Sequence, residues 1–136
     1  MTDLQALHDT THTMVMGVLN ITEDSFSDGG LWLDPAKAAQ HGRDMMAAGA
    51  AIIDIGAEST RPGAKRVAEA DELARITGAV KTLIPAGAVL SIDTTRASVA
   101  AAALSEGAQI INDVSGGTLD AELPHVVADH DCLYIV

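Results

Sequence analysis

Cysteine, aromatic side chains and positive charge are all scarce in this sequence. Cys132 stands alone in an apolar run, so no disulfide framework and no cysteine metal cluster can form, and a reducing, cytoplasmic compartment is expected. One Trp, one Tyr and one Phe leave the core to Ala, Val, Ile and Leu, a mixture suited to helices layered on a parallel sheet. Eight Lys and Arg stand against 19 Asp and Glu, for a net charge of −11. That balance argues against nucleic acid and anionic membrane surfaces as partners, and an anionic substrate would need particular basic residues near it. The opening "MTDLQALHDTTHT" has no basic n-region, and no long apolar stretch follows, so neither a signal peptide nor a membrane span is read. No GxGxxG follows a strand and no GxxxxGK[ST] occurs, which excludes a dinucleotide fingerprint and a P-loop. The histidines at 8, 12, 41, 125 and 130 lack HExxH-type spacing, so no zinc site is assigned.

What the 136 residues do contain is a rhythm, read as one domain with an N-terminal extension over 1–13. An apolar run gives way to a polar, Gly-rich loop, then to an Ala-rich helical pattern, then to the next apolar run. The strands read are β1 (Met14–Leu19), β2 (Ala51–Ile55), β3 (Ala88–Ile92), β4 (Gln109–Ile111) and β5 (Cys132–Val136). The helices read are α1 (Pro35–Ala48), α2 (Ala68–Ile84), α3 (Arg96–Ser105) and α4 (Leu119–Asp129). Asp34-Pro35 reads as an N-cap followed by proline at the first helical position, and Gly49 and Gly107 read as helix stops. Such alternation means βα units on a parallel sheet. Asn20, Asp54, Asp93 and Asn112-Asp113 put polar groups at four consecutive strand ends. In an open sheet only the ends beside the switch point share a site, whereas a barrel brings all of them to one mouth. The fold class expected is therefore α/β, the first half of a (β/α)₈ barrel.

Four stretches carry the chemistry. "MGVLNITEDSFSDGG" (Met16–Gly30) leaves an apolar strand as a strongly polar loop, either a solvated turn or one wall of a site. In "DIGAESTRPGA" (Asp54–Ala64), Thr60 and Arg61 sit in a path fixed by Gly and Pro. Arg61 either pairs with Glu58 or Asp54 or offers its planar fork to phosphate or carboxylate. In "SIDTTR" (Ser91–Arg96), Asp93 either caps α3 or, if Thr94 or Thr95 caps instead, points into the mouth. "IINDVSGG" (Ile110–Gly117) sets Asn112 before a Ser-Gly-Gly turn. Its amide both donates and accepts, as a flat heterocycle with mixed edges requires, and the neighbouring Asp113 would accept from an amino-pyrimidine N–H.

Together, and in this order, these stretches closely resemble the first half of the dihydropteroate synthase family, a group of pterin-binding barrels, from about Met14 to Val136. The resemblance implies condensation of 7,8-dihydropterin-6-ylmethyl diphosphate with p-aminobenzoate in folate biosynthesis, with sulfonamides as inhibitors and Mg²⁺ as cofactor. It implies that the loop after β1 is a lid. Asn20 would hold the diphosphate and its Mg²⁺, and Phe26 and Asp28 would close around p-aminobenzoate. Thr60, Arg61 and Pro62 would form a second mobile loop, with Arg61 meeting the diphosphate and Pro62 lining the aminobenzoate pocket. Asp93 and Asn112 would read the pterin. Glu23 stands where the family often has proline.

The resemblance also carries expectations about extent. The family's later aspartate in a "DPG"-like motif, its lysine in an "SRK"-like motif and its Arg-x-His diphosphate site have no counterpart here. The 136 residues alone are thus expected to be inactive and, with the inward sheet face and the β1 and β5 edges uncovered, to self-associate. Full-length members are often homodimers through late helices, so no such dimer is assumed. Two other classes compete: a pterin-binding methyltransferase domain and a non-catalytic half-barrel partner subunit.

Overall fold

The computed structural model describes residue 7 and residues 11–22, 34–59 and 62–136. Five strands alternate with four helices: β1 (Met16–Asn20), α1 (Pro35–Ala47), β2 (Ile52–Gly56), α2 (Glu69–Leu83), β3 (Leu90–Asp93), α3 (Ala97–Ser105), β4 (Ile110–Asn112), α4 (Leu123–Ala128) and β5 (Leu133–Ile135), with a 3₁₀ turn over Ile84–Ala86. All neighbouring strands pair in parallel, in the order β1-β2-β3-β4-β5. A doubly wound sheet reverses its strand order at a switch point. This sheet does not reverse, and each helix packs beside the next, α1 on α2, α2 on α3 and α3 on α4. That is the winding of the first half of a (β/α)₈ barrel.

Residue alternation along the strands sorts two faces. Leu19, Ile53, Ile55, Leu90, Ile92 and Ile111 face the helices and form the main core with side chains such as Ile76, Leu83, Val99 and Leu123. Each such side chain contributes on the order of 1.5–3 kcal/mol by its burial. The opposite face carries a smaller cluster, Ile52, Val89 and Ile110, with Leu7, Met16 and Leu133 against it. Beyond that cluster, toward the C-terminal ends of the strands, the same face turns polar. Among the described residues no helix is long and apolar enough to cross a membrane.

Local signals explain the element starts and stops. Asp34 accepts from the Ala36 amide at 3.0 Å and Pro35 opens α1. Gly49 and Gly107, at φ +106° and +107°, end the chain's turns after α1 and α3 as expected. The strands differ from the sequence reading in a consistent way: β1 to β4 each run one residue past the apolar stretch, so that Asn20, Gly56, Asp93 and Asn112 are still paired. Apolarity marks burial, whereas the ladder continues into the polar mouth. The α4 expectation is corrected more strongly. Residues 119–122 are not helical, because Gly116 and Gly117 at φ +58° and +80° and an Asp120 turn onto the Glu122 amide occupy the path until α4 starts at Leu123, with Pro124 in its first turn.

Candidate functional site

One rung crosses the sheet at its C-terminal edge. Asn20 pairs with Gly56, Gly56 with Asp93, Asp93 with Asn112, and Asn112 with Ile135. Parallel register therefore brings three of the sequence-derived candidates, from three separate stretches, into a single row. Gly56 is the low point between two of them. A β-carbon there would stand 3.3 Å from Asp93 Oδ2 and 3.4 Å from Asn20 Oδ1, so the absence of a side chain lets the carboxylate and the amide converge over the strand.

Two residues earlier on β2, on the same face, lies Asp54, 4% exposed. Ser91 Oγ donates to its Oδ1 at 2.6 Å, and Asn112 Nδ2 stands 3.5 and 3.3 Å from its two oxygens. An ionised carboxylate only accepts, so Asp54 turns the Asn112 NH₂ inward and leaves the amide oxygen toward the mouth. Sequence reasoning placed Asp54 among the polar strand ends but gave it no task beyond a possible pairing with Arg61. A carboxylate inside an otherwise apolar "IIDIG" strand was the available signal.

Asp93 is half-buried, and among the described residues its carboxyl group has no hydrogen-bond or ion-pair partner. Burial, reinforced by the negative charges of Asp54, Glu72, Asp113 and Glu58, pushes its carboxyl from the ordinary 3.8 up to about 6. It does not cap α3, and neither do the threonines. Arg96 takes the N-cap place without a side-chain cap, Thr94 Oγ accepts from the Arg96 amide at 3.2 Å, and the free Ala97 amide is met by Asp120 Oδ2 at 2.8 Å from the β4–α4 connection. The capping alternative for Asp93 is thus removed.

Asp113 is a correction. It is fully buried, and its carboxylate accepts from the Ser115 amide and hydroxyl at 2.9 and 2.7 Å, the Gly117 amide at 2.7 Å and the Tyr134 hydroxyl at 2.9 Å. Burial works to raise this carboxyl, but the four donors outweigh it and hold it below the ordinary value. In the same contact, burial and the Asp113 carboxylate push the Tyr134 phenol up to about 12. With its oxygens committed to its own turn, Asp113 is not available to a ligand.

The β2–α2 connection stands over the row. Glu58 Oε1 accepts from the Val67 amide at 3.1 Å and lies 3.5 Å from Arg66 and 3.3 Å from Arg96, so Glu58, like Asp54, has contacts other than Arg61. Pro62 is exposed in a turn. Phe26, Asp28, Thr60 and Arg61 lie outside the described residues. A cavity of about 230 Å³ opens beside Asp93, lined also by Glu58, Ala64, Arg66, Thr95 and the exposed Val114. A second hollow, of about 460 Å³, gathers Lys65, Arg66 and Arg75 with Thr22, a local excess of positive charge in an acidic chain. Among the described residues no group of three or more His, Cys, Asp or Glu is arranged to hold a metal.

The chain matches the family described as "Pterin binding enzyme" over residues 16–136. It is 55% identical over 122 residues to the dihydropteroate synthase of Mycobacterium leprae, covering 90% of this chain and 43% of that protein. It is 46% identical over 127 residues to the dihydropteroate synthase of Bacillus subtilis, covering 93% of this chain and 45% of the relative. Among solved structures it is similar to the dihydropteroate synthase of Clostridium difficile determined with pteroic acid, at a TM-score of 0.83 and 42% identity over 91% of this chain and 48% of that one. It is also similar to the Yersinia pestis dihydropteroate synthase in complex with a sulfonamide drug, at a TM-score of 0.83 and 41% identity over 89% of this chain and 44% of that one. The chain thus spans a little under half the length of the relatives it matches.

Proposed function

Because this chain belongs to the pterin-binding enzyme family, we propose that it serves as part of a dihydropteroate synthase, joining a dihydropterin methyl diphosphate to p-aminobenzoate. The observation that carries this reading is the single rung Asn20–Gly56–Asp93–Asn112, which holds a carboxylate and an oriented amide side by side at one mouth. Such a pair matches the donor and acceptor edge of a pterin. Asp93, ionised, would accept from the ring amino and ring N–H groups. Asn112, its NH₂ tied to Asp54, would present its oxygen. The apolar Val114 beside them offers ground for the flat face of the ring.

In the reaction the bond from the pterin methylene to the diphosphate oxygen breaks, and the electron pair leaves with the diphosphate. The amine nitrogen of p-aminobenzoate forms the new bond to that methylene and loses a proton to solvent. Charge neutralisation at the leaving group is the central demand. By the resemblance, Arg61 supplies it, and the cations around the neighbouring hollow add to the local field. Phe26, Asp28, Thr60 and Pro62 take the lid and aminobenzoate roles, excluding water from a reactive cationic ring. Asn20 ends β1 exposed, with a single hard oxygen donor. That fits Mg²⁺ bound mainly by diphosphate oxygens and water, and not an all-protein cage. When bound, Mg²⁺ would neutralise charge on the diphosphate.

The test is pteroate formation and diphosphate release by a full-length synthase that contains these residues, with Arg61→Ala compared by calorimetry. A lost charge-assisted contact is expected to weaken diphosphate-substrate binding by ~1.5–3 kcal/mol. Absence of turnover in the wild type would end the reading, and unchanged affinity in the variant would end the assignment of Arg61.

A further inference from the structure

Glu72 is a charged side chain in an apolar place. It projects from α2 and is 1% exposed, yet it lies outside the row of groups at the mouth. One of its oxygens accepts from Thr94 Oγ1 at 2.6 Å, and the other is paired with Arg96 Nη1. The Arg96 guanidinium does more than neutralise it. The same Nη1 lies 3.3 Å from Glu58 Oε1, and Nη2 donates to the Val67 carbonyl at 2.8 Å. Glu58 and Val67 bracket the β2–α2 connection, whose described residues Ser59, Ala64 and Arg66 line the cavity beside Asp93, and they are joined directly through the Val67 amide. Arg66, just inside, donates to Thr95 Oγ1 at 2.9 Å, and the Thr94 amide donates to the Asn112 carbonyl at 3.2 Å. A single guanidinium thus ties both ends of the β2–α2 connection to the residues that immediately follow Asp93.

We infer that Arg96, seated on the buried Glu72 carboxylate, is a positioning residue that sets where the segment between Glu58 and Val67 stands relative to Asp93. The inference rests on the reading of the site given above. A buried ion pair is weak evidence for stability, since apolar replacements of similar volume are often neutral or better. The planar fork, by contrast, holds three acceptors, one on α2 and one at each end of the β2–α2 connection, at fixed angles, which an apolar pair cannot do. The consequence is a division of labour. Asp93 and Asn112 bind the pterin from the rigid sheet, while groups carried on the clamped connection act on the second substrate, so loss of the clamp separates the two affinities.

The experiment pairs Glu72→Leu with Arg96→Met in a full-length synthase that contains these residues, which removes both charges and leaves none stranded. Amide hydrogen exchange in the 58–67 peptide is expected to accelerate about tenfold while β3 and β4 stay unchanged, and KM for p-aminobenzoate is expected to rise about tenfold with pterin-analogue affinity within about twofold of wild type. The milder Glu58→Gln, which leaves the buried pair intact, should show the same pattern at about threefold and guards against a double variant that does not fold. Exchange that rises everywhere alike, or both affinities moving together, would reduce Arg96 to an ordinary packing residue. A wild-type protein without condensation activity would remove the functional reading, and the exchange data would still decide whether the clamp exists.

Discussion

Asn112 Nδ2 on β4 stands 3.3 Å from Asp54 Oδ2 on β2, across the intervening strand whose Ser91 hydroxyl binds the same carboxylate at 2.6 Å. The amide that faces the mouth is therefore oriented from beneath by a group that never reaches the surface. Asp54→Ala leaves a buried hydroxyl and an amide donor without their acceptor, at about 1–3 kcal/mol in stability. Pterin-analogue affinity should fall about tenfold by calorimetry as Asn112 loses its orientation. Ser91→Ala, which leaves the Asn112 contact in place, should bind within about threefold of wild type. Equal affinities for all three proteins would deny Asp54 this role.

Asp93→Asn should change stability and binding in opposite directions. A carboxyl whose folded value lies above its ordinary one contributes stability that is fully present below 3.8 and is lost as pH rises through about 6. The Asn variant carries no such loss, so at neutral pH it should be more stable than wild type by on the order of 2 kcal/mol. That gain should vanish below about pH 4, as the wild-type carboxyl becomes neutral. Wild-type affinity for a pterin analogue should rise as pH passes about 6, while the variant should bind weakly at every pH. Denaturant titrations at several pH values, run beside calorimetry, check both halves. A less stable variant at neutral pH would contradict the burial argument.

Gly56→Ala tests the floor of the row. The backbone there is ordinary strand, so the new methyl group strains nothing in the chain path. Its contacts, at 3.3 and 3.4 Å from Asp93 and Asn20 oxygens, push apart the two groups that converge over it. Melting temperature should stay within about 3 °C of wild type, while binding of both the pterin analogue and the diphosphate substrate weakens. Unaltered binding would mean that the convergence has no function.

Asp113→Ala should be the most damaging of these changes to folding. It strands the Ser115 and Gly117 amides and the Tyr134 hydroxyl, at a cost of ~3 kcal/mol or more, whereas Tyr134→Phe removes one bond at ~1 kcal/mol. Because the folded carboxyl is held below its ordinary 3.8, its stabilisation is present above that value and is lost as pH falls through the folded one. Chemical denaturation at pH 7 and at pH 3 should show the wild-type advantage narrowing at the acid end. A pH-independent difference would assign the cost to packing instead.

The sequence was most legible where hydrophobic period and punctuation agree. All nine elements and their order followed from apolar runs, Asp34-Pro35, Gly49 and Gly107. The row at the mouth was legible one member at a time, since Asn20, Asp93 and Asn112 each follow an apolar run, but their shared rung was not, because register depends on pairing across 18 to 36 residues of intervening chain. The role of Asp113 was misread for a related reason. A one-residue step along a strand reverses the facing of a side chain, and an Asp directly after Asn112 looks the same on paper whichever way it points. Glu72 and Arg96 were invisible as a pair, because helix α2 reads as an ordinary acidic-faced helix and nothing local reveals that one of its glutamates is buried.

The cap on α3 bears on the order in which the chain acquires structure. The helix is nine residues of mostly alanine, too short to persist by itself in water, and its first amide is met by Asp120, 23 positions later in the chain. During synthesis, residues 97–105 leave the ribosome well before Asp120 does. Until the β4–α4 connection has emerged and folded back, α3 is a nascent helix with an open start. Slow translation anywhere between Ser105 and Asp120 therefore prolongs the interval in which this apolar, alanine-rich segment is available to chaperones or to the same segment of a neighbouring nascent chain.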